Sequence, residues 1–196
     1  MRQPLVYDAV MVPFETLVPK GWRRWAVSGL SGKLLEIGAG TGFTLRHYGS
    51  LSMAVITEPS LPMLRRARQR ARGTPFTLVA VAADAQELPF ASDTFDAVVV
   101  TLALCTVPSP ERALGEMRRV LRPNGELRLL EHVRVSNPPV AALQDMLTPV
   151  WRAVSGGCHL NRDTLQIAVK AGFAPVQLRV GMGGWLMSAH MKPREP

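Results

Sequence analysis

The most constraining feature of the chain is a short apolar run that ends in three closely spaced glycines. Residues 34–37 form the run, and Gly38, Gly40 and Gly42 follow at alternate positions, before a helix-compatible segment at 43–48. A strand, a glycine turn and a helix N-terminus in this order are typical of doubly wound α/β folds. The segment therefore predicts a site for a nucleotide-like ligand at the end of the first strand.

An acidic residue in the second apolar run supports this site. The run covers residues 53–57 and is followed by Glu58, which lies 20 residues after Gly38. At that separation a carboxylate at the tip of the second strand is placed to accept hydrogen bonds from a ribose diol. A dinucleotide motif would require glycine at position 43 or 45, where the chain has Phe43 and Leu45. The spacing therefore disfavours an NAD-type oxidoreductase, which remains the alternative.

The 196 residues predict one domain, with a helical extension at 1–30 and a catalytic core at 31–196. Strands are predicted at 33–37, 53–57, 76–82, 95–101, 126–133, 175–180 and 185–192, and helices at 61–72, 110–121, 140–155 and 162–171. Ser60 and Ser109 are the expected N-caps of the first two helices. Near-continuous apolar strands separated by helices indicate a parallel sheet that is covered on both faces.

Further segments carry a family resemblance. The glycine turn after Glu36 is followed by A-D-A-Q-E-L-P-F at 83–90, by 93–100 and by 116–126, and these segments resemble, in order, motifs of the class I S-adenosylmethionine (SAM) methyltransferases. The chain is most similar to the small branch that includes UbiE-like and thiol-methyltransferase-like enzymes. The cues for this branch are Tyr7-Asp8 and the segments 101–105, 130–133 and 156–164.

The resemblance implies a Rossmann-like, doubly wound, mostly parallel seven-stranded sheet with an antiparallel edge hairpin. It also implies SAM as the cofactor and S-adenosyl-L-homocysteine as its product. The expected cofactor-binding residues are Glu36, Gly38, Ala39, Gly40, Gly42, Glu58, Pro59, Met63, Asp84, Ala85, Thr101 and Leu102. Asp84 would accept from the adenine amine, although Ala83 replaces the family's usual glycine and leaves a surface role for Asp84 open.

The catalytic residues are less constrained, because the sulfonium of SAM already activates its methyl group. Catalysis then needs in-line positioning and, for a neutral acceptor, removal of one proton. His132 is the expected base, and the alternative is a histidine that caps the sheet. Tyr7 and His159 are further candidates, with N-terminal packing and a structural lid position as their respective alternatives. Cys105 is expected to pack in the core or in the wall of the pocket.

Charge and composition disfavour nucleic acid as a partner. The net charge is +8, but the basic residues are scattered and only 6% of residues are aromatic. The Asn-Pro-Pro-Val segment at 137–140 follows the predicted fifth strand and lacks the aromatic residue of base-amine methyltransferases, so it reads as a turn. No Cys/His spacing matches a metal site, and no metal is expected.

A membrane surface is the other expected partner. Lys20 to Trp25 combine cations with two tryptophans behind the apolar residues Val10, Val12, Phe14, Leu17 and Val18, a pattern that favours an anionic bilayer surface. A lid helix packed on the domain is the alternative. Two separated cysteines, no signal peptide and no apolar run of the roughly 20 residues that span a bilayer predict a cytoplasmic protein, peripheral at the membrane.

The functional prediction is methyl transfer to a small, lipophilic acceptor. A thiol, a quinol or phenol, and a phospholipid amine all remain open as acceptors. A catalytically silent SAM-binding regulator is a further alternative. The sequence does not give the oligomeric state.

Overall fold

The structure is a computed structural model that describes residues 4–5, 7–9, 18, 21–49 and 51–194. Its strands are β1 Lys33–Ile37, β2 Met53–Thr57, β3 Thr77–Val81, β4 Phe95–Thr101, β5 Leu121–His132, β6 Phe173–Gly181 and β7 Leu186–Pro193. Its helices of the core and of the adjoining N-terminal part are α1 Trp22–Ala26, α2 Leu61–Arg70, α3 Pro110–Val120, α4 Pro138–Ser155 and α5 Thr164–Lys170.

All seven strands form one sheet, in the order β3-β2-β1-β4-β5-β7-β6. The first five strands pair in parallel, and β7 runs antiparallel to both β5 and β6. The predicted mostly parallel sheet with an antiparallel edge hairpin is confirmed. Since β1 pairs with β2 on one side and β4 on the other, the chain changes direction across the sheet at β1, where such folds bind ligands.

The strands lie where the apolar runs predict them. β1, β2 and β4 have the predicted bounds, and their residues are almost entirely buried between the helical layers. Burial of both faces explains why these runs show no polar alternation. The sheet brings the ends of β1 and β4 side by side, with Ile37 opposite Val100.

Helix starts agree less uniformly with the sequence. The Ser109 hydroxyl accepts the Arg112 N–H at 3.5 Å and Pro110 begins α3, as predicted. Ser60 is the N-cap residue of α2, as predicted, but its side chain makes no capping hydrogen bond. The Ser60 backbone N–H donates to Glu58 Oε1 at 3.0 Å, so the Glu58 carboxylate at the tip of β2 satisfies a free N–H group at the start of α2.

The segment at 43–48 is not an α-helix, contrary to the prediction. It forms one 3-10 turn at Leu45–His47, after which Tyr48 is extended. The buried Tyr48 hydroxyl donates to Glu36 Oε2 at 2.8 Å. This contact requires the chain to turn back toward β1, so the glycine turn lacks the long helix whose dipole the sequence implied.

The described part of the N-terminal extension packs on the core. Trp25 stacks on His190 with ring centroids 4.0 Å apart, and the buried Arg23 donates to Thr44 Oγ1 at 3.1 Å. These contacts favour the packed lid helix over membrane contact for residues 22–26. The apolar residues predicted to reach a membrane at positions 10, 12, 14 and 17, and Lys20, lie outside the described residues.

Packing against α2 dictates the glycine at position 42, and this can be tested. A Cβ there would lie 2.8 Å from Leu45 Cδ1 and 3.0 Å from Ala67 Cα, and φ is +84°. Gly73 has φ +83° but no atom within 4 Å of a Cβ. We expect Gly42→Ala to lower the free energy of unfolding by about 2–4 kcal/mol and Gly73→Ala by about 1 kcal/mol, measured by urea denaturation. Equal losses would contradict a packing role for Gly42.

Candidate active site

Glu58 ties the glycine turn of β1 to the start of α2. Its Oε2 accepts the Gly40 N–H at 3.1 Å, and its Oε1 accepts the Ser60 N–H at 3.0 Å. Burial raises the pKa of the half-buried Glu58 carboxyl, and the two N–H groups partly offset this rise. A carboxylate oxygen can accept a second hydrogen bond. The diol-binding role predicted for Glu58 therefore fits this geometry.

The three glycines of the turn differ in what surrounds them. A Cβ at Gly38 would lie 2.6 Å from the Ala103 Cβ, so Gly38, like Gly42, is required by packing within the protein. At Gly40 the nearest atom is the Tyr7 hydroxyl, 3.6 Å from the Cβ position, and φ is +56°. A Cβ at Gly40 would therefore make only ordinary contacts with Tyr7, so packing does not require glycine there as it does at Gly38 and Gly42. Tyr7 lies over the glycine turn, and its contact with the cofactor or the acceptor stays a prediction.

Asp8 holds the N-terminal segment on this turn. Its Oδ1 accepts the Thr41 hydroxyl at 2.6 Å, and its Oδ2 accepts Arg70 at 2.8 Å and Arg66 at 3.2 Å. Asp8 is buried, and its two arginine partners lie on α2. These contacts position Tyr7, and the sequence analysis used Asp8 only as a family cue.

Glu36 lies behind the turn and is completely buried. It accepts the Tyr48 hydroxyl through Oε2, while Oε1 has no hydrogen-bond partner within the described residues. Burial raises the pKa of Glu36 to about 7, against the opposing effects of Tyr48, Thr44 and Arg23. Glu36 therefore supports the turn through Tyr48, without a hydrogen bond to its backbone.

Other predicted cofactor residues lie in the loops at the same sheet edge. Asp84 is exposed, and its carboxylate accepts the Gln86 N–H at 2.9 Å. Gln86 in turn accepts the Ser109 N–H at 3.0 Å, so α3 anchors this loop. The adenine contact of Asp84 stays a prediction. Ala39 follows β1, Pro59 follows β2, Met63 is buried in α2, Ala85 follows Asp84, and Thr101 ends β4.

The turn after β4 is held by a carboxylate that the sequence analysis did not select. The fully buried Glu131 accepts the N–H groups of Ala103, Leu104 and Cys105 at 2.8, 3.0 and 3.4 Å. Leu102, just before them, has φ +54°, a conformation that costs free energy and often occurs at ligand sites. Burial raises the pKa of Glu131. In the sequence, the feature that could have indicated Glu131 is its position next to His132 at the end of β5.

Cys105, His132 and Cys158 converge next to this turn, and we call them the sulfur–imidazole cluster. Their ligand atoms all lie within 4.8 Å of one another, and His132 Nε2 is 3.0 Å from Cys158 Sγ. The neighbouring Cys105 thiol and the His132 imidazole lower the pKa of Cys158 to about 4, against the effect of burial. The pKa of Cys105 is raised by its hydrogen bond with Cys158 and by burial.

This arrangement changes the interpretation of the predicted bases. Burial lowers the pKa of His132, but Cys158 and the charge of Glu131 together raise it, and the net pKa is raised. His132 Nε2 faces Cys158, and Nδ1 is buried without a hydrogen-bond partner among the described residues. His159 Nδ1 lies 3.1 Å from the Cys105 carbonyl oxygen, a contact that favours its structural alternative. Cys105 is buried as predicted, but it faces the cluster.

A parallel sheet with a glycine turn at its switch point, and an acid at the tip of β2, defines an α/β protein of the nucleotide-cofactor-binding class. The family model described as a methyltransferase domain matches residues 35–129. The demethylmenaquinone methyltransferase of Paenarthrobacter aurescens is 31% identical over 193 residues, which cover 94% of this chain and 70% of the relative. The chain therefore belongs to the class I SAM-dependent methyltransferases, and its cofactor is SAM.

Two further comparisons agree with this assignment. The thiol S-methyltransferase TMT1B of Rattus norvegicus is 37% identical over 149 residues, or 74% of this chain, and the chain spans only 61% of that relative's length. The solved structure of the DhpI–SAH complex superposes with a TM-score of 0.71 at 17% identity, covering 98% of this chain and 92% of that chain. At that identity, the likeness shows a shared fold.

The role of Glu58 leads to a prediction about cofactor affinity. Glu58→Gln keeps the shape but removes the charge that accepts the ribose hydroxyls, so SAM should bind roughly ten- to a hundredfold more weakly by calorimetry. Asp93→Asn makes the same change in an exposed loop before β4, at the opposite sheet edge, where asparagine tolerates the observed φ of +54°. The control should bind SAM normally. Unchanged affinity in folded Glu58→Gln would remove Glu58 from the site.

Proposed function

We propose that this protein transfers the methyl group of SAM to the sulfur of a small, lipophilic thiol. The observation that carries the proposal is the hydrogen bond from the Gly40 N–H to Glu58, at the glycine over which Tyr7 lies. That hydrogen bond places a carboxylate and the backbone of the glycine turn at the switch point of a methyltransferase fold. Glu58 would hold the ribose, Gly40 would admit the methionine half, and Asp84 would accept from the adenine amine.

The methyl group of SAM is activated by the positively charged sulfur to which it is bound. A lone pair of the acceptor forms the new bond to the methyl carbon, and the electrons of the broken carbon–sulfur bond stay with S-adenosylhomocysteine. What remains for the protein is to position the acceptor and to remove its proton. Both predicted histidine bases already have partners, His132 at Cys158 and His159 at the Cys105 carbonyl. This favours an acceptor that ionises easily.

A thiol meets this requirement better than the other open acceptors. Ordinary pKa values are about 8.5 for a thiol and about 10 or above for a phenol or an alkyl ammonium. The similarity to a thiol S-methyltransferase supports the same acceptor, and the similarity to a demethylmenaquinone methyltransferase keeps a quinol as the competing candidate. The sulfur–imidazole cluster lies beside the turn after β4, where a soft sulfur acceptor would be well accommodated.

Transfer of a radiolabelled methyl group from SAM tests the proposal. We expect the full chain to label aliphatic or aromatic thiols, with much slower labelling of a quinol and of phosphatidylethanolamine vesicles. Glu58→Gln should lower the rate at subsaturating SAM by roughly ten- to a hundredfold. Faster labelling of the quinol or the amine would overturn the thiol assignment, and binding of SAM without labelling of any acceptor would favour the silent regulator.

We also propose that the protein receives its acceptor at an anionic membrane surface, through α4. The buried face of this helix is small or polar, with Ala141, Gln144 and Thr148. Its solvent face is apolar, and the exposed fractions are Leu143 45%, Met146 67%, Leu147 43%, Val150 69%, Trp151 40% and Val154 66%. This distribution is the reverse of that of an ordinary surface helix, and it suits a helix lying in a lipid interface.

The inner contacts of α4 explain why its inward face is polar. The Gln144 amide donates to the Val133 and Leu160 carbonyl oxygens at 3.1 and 3.0 Å and accepts the Val135 N–H at 2.9 Å. The helix is therefore attached by hydrogen bonds, and its apolar side chains are left outward. None of the described helices is both long enough and apolar enough to cross a bilayer.

The position of α4 and the net charge of the whole chain favour a bilayer over a second protein. α4 ends three residues before Cys158, so a lipophilic acceptor leaving the bilayer would arrive near the sulfur–imidazole cluster. A net charge of +8 favours anionic lipid.

Vesicle co-sedimentation tests the membrane proposal. The wild type should bind vesicles of phosphatidylglycerol and phosphatidylcholine more strongly than pure phosphatidylcholine, and less strongly at high salt. Met146→Glu with Val150→Glu should abolish binding, because two charges would enter the apolar interface. Val79→Glu, on the exposed edge strand β3, is the matched control and should bind normally. The proposal would be overturned if the wild type did not bind vesicles but formed dimers that the double substitution dissociates.

A further inference from the structure

The sulfur–imidazole cluster is assembled from three separate parts of the chain. Cys105 lies in the 3-10 turn after β4, His132 is the last residue of β5, and Cys158 lies in the loop after α4. Two cysteine sulfurs and one imidazole nitrogen within 4.8 Å of one another form a soft set of donors. Such a set is typical of zinc bound by three protein ligands with a fourth position open.

The geometry is close to what a tetrahedral ion requires. Zinc at about 2.0 Å from nitrogen and 2.3 Å from sulfur separates its ligand atoms by roughly 3.6–3.8 Å. The observed distance from His132 Nε2 to Cys158 Sγ is 3.0 Å, so a small outward movement of these side chains would accommodate the ion. The cysteines are buried and His132 is partly exposed, so the cluster lies between the core and the surface.

The surrounding hydrogen bonds fix the backbone of each cysteine. Glu131 accepts the Cys105 N–H, and the His159 N–H donates to the Cys105 carbonyl oxygen at 2.9 Å. The Cys158 N–H donates to the Ser155 hydroxyl oxygen at 3.2 Å. Outer contacts of this kind hold metal ligands in place. The backbone of both cysteines is therefore fixed by contacts outside the cluster.

We propose that Cys105, His132 and Cys158 form a zinc site whose open fourth position takes a thiol acceptor. The thiol displaces a zinc-bound water, its S–H bond breaks, the proton passes to solvent, and its sulfur is held as a thiolate beside the turn after β4. The acceptor part of this inference rests on the proposed function, whereas the zinc site does not. Binding to zinc would promote loss of the thiol proton, which neither histidine is free to accept.

Metal analysis tests the site directly. The full chain, without a polyhistidine tag, is mixed with zinc under reducing conditions and gel-filtered, and zinc is measured by mass spectrometry. We expect about one zinc per wild-type chain, as for a single site of this type, and loss of that zinc in Cys158→Ser and in His132→Gln. His159→Gln, a neighbouring histidine outside the cluster, is the matched control and should keep its zinc.

Circular dichroism establishes that each variant is folded. A folded wild type that takes up no zinc while both thiols are titratable would overturn the zinc site. Zinc retained by both ligand variants would overturn it as well.

Cobalt substitution tests the open position without any methyl transfer. The cobalt-loaded wild type should show sulfur-to-metal charge-transfer absorption and tetrahedral visible bands. Adding 2-mercaptoethanol in the absence of SAM should shift the visible bands, because a thiolate replaces water. An unchanged spectrum would overturn the acceptor assignment. A bound metal and a thiol-induced shift without methyl transfer would count against the proposed function and leave the metal site standing.

Discussion

The constraint on which the site depends is the central position of β1 in a parallel sheet. Because β1 pairs with β2 on one side and β4 on the other, the turns that follow these three strands meet at one edge. Parallel strands place all their carboxyl ends at that edge, and the change of chain direction at β1 leaves a crevice between the turns. The cofactor residues, the turn after β4 and the sulfur–imidazole cluster all follow from this arrangement.

Buried or half-buried carboxylates then fix the shape of each turn. Glu58 accepts N–H groups from the glycine turn and from the start of α2, and Glu131 accepts three from the turn after β4. Asp8 holds the N-terminal segment through Thr41 and two arginines. A buried carboxylate is costly unless its oxygens are satisfied, so these contacts strongly favour one loop conformation. These acidic groups hold backbone that is not helical, at the turns where the cofactor is predicted to bind.

The exposed apolar face of α4 is the second feature on which the proposed route of the acceptor depends. Gln144 attaches the helix by hydrogen bonds to the carbonyl oxygens of neighbouring loops, and the apolar side chains remain outside. An enzyme for a lipophilic acceptor gains from this arrangement, since the acceptor would be concentrated in the phase that touches the helix. The proposed membrane contact and the proposed zinc site concern different properties of the molecule, and the tests proposed for them are independent.

The sequence by itself determined the sheet and the cofactor turn. The apolar runs fixed β1, β2 and β4 at their observed bounds, because burial on both faces demands continuous apolar residues, and the 20-residue interval placed Glu58 at the tip of β2. Only the tertiary structure decided the rest. It replaced the helix at 43–48 with a 3-10 turn because Tyr48 reaches Glu36. It also joined Cys105, His132 and Cys158, which are separated by more than 20 residues along the chain and form no local motif, because the ends of β4 and β5 are neighbours in the sheet.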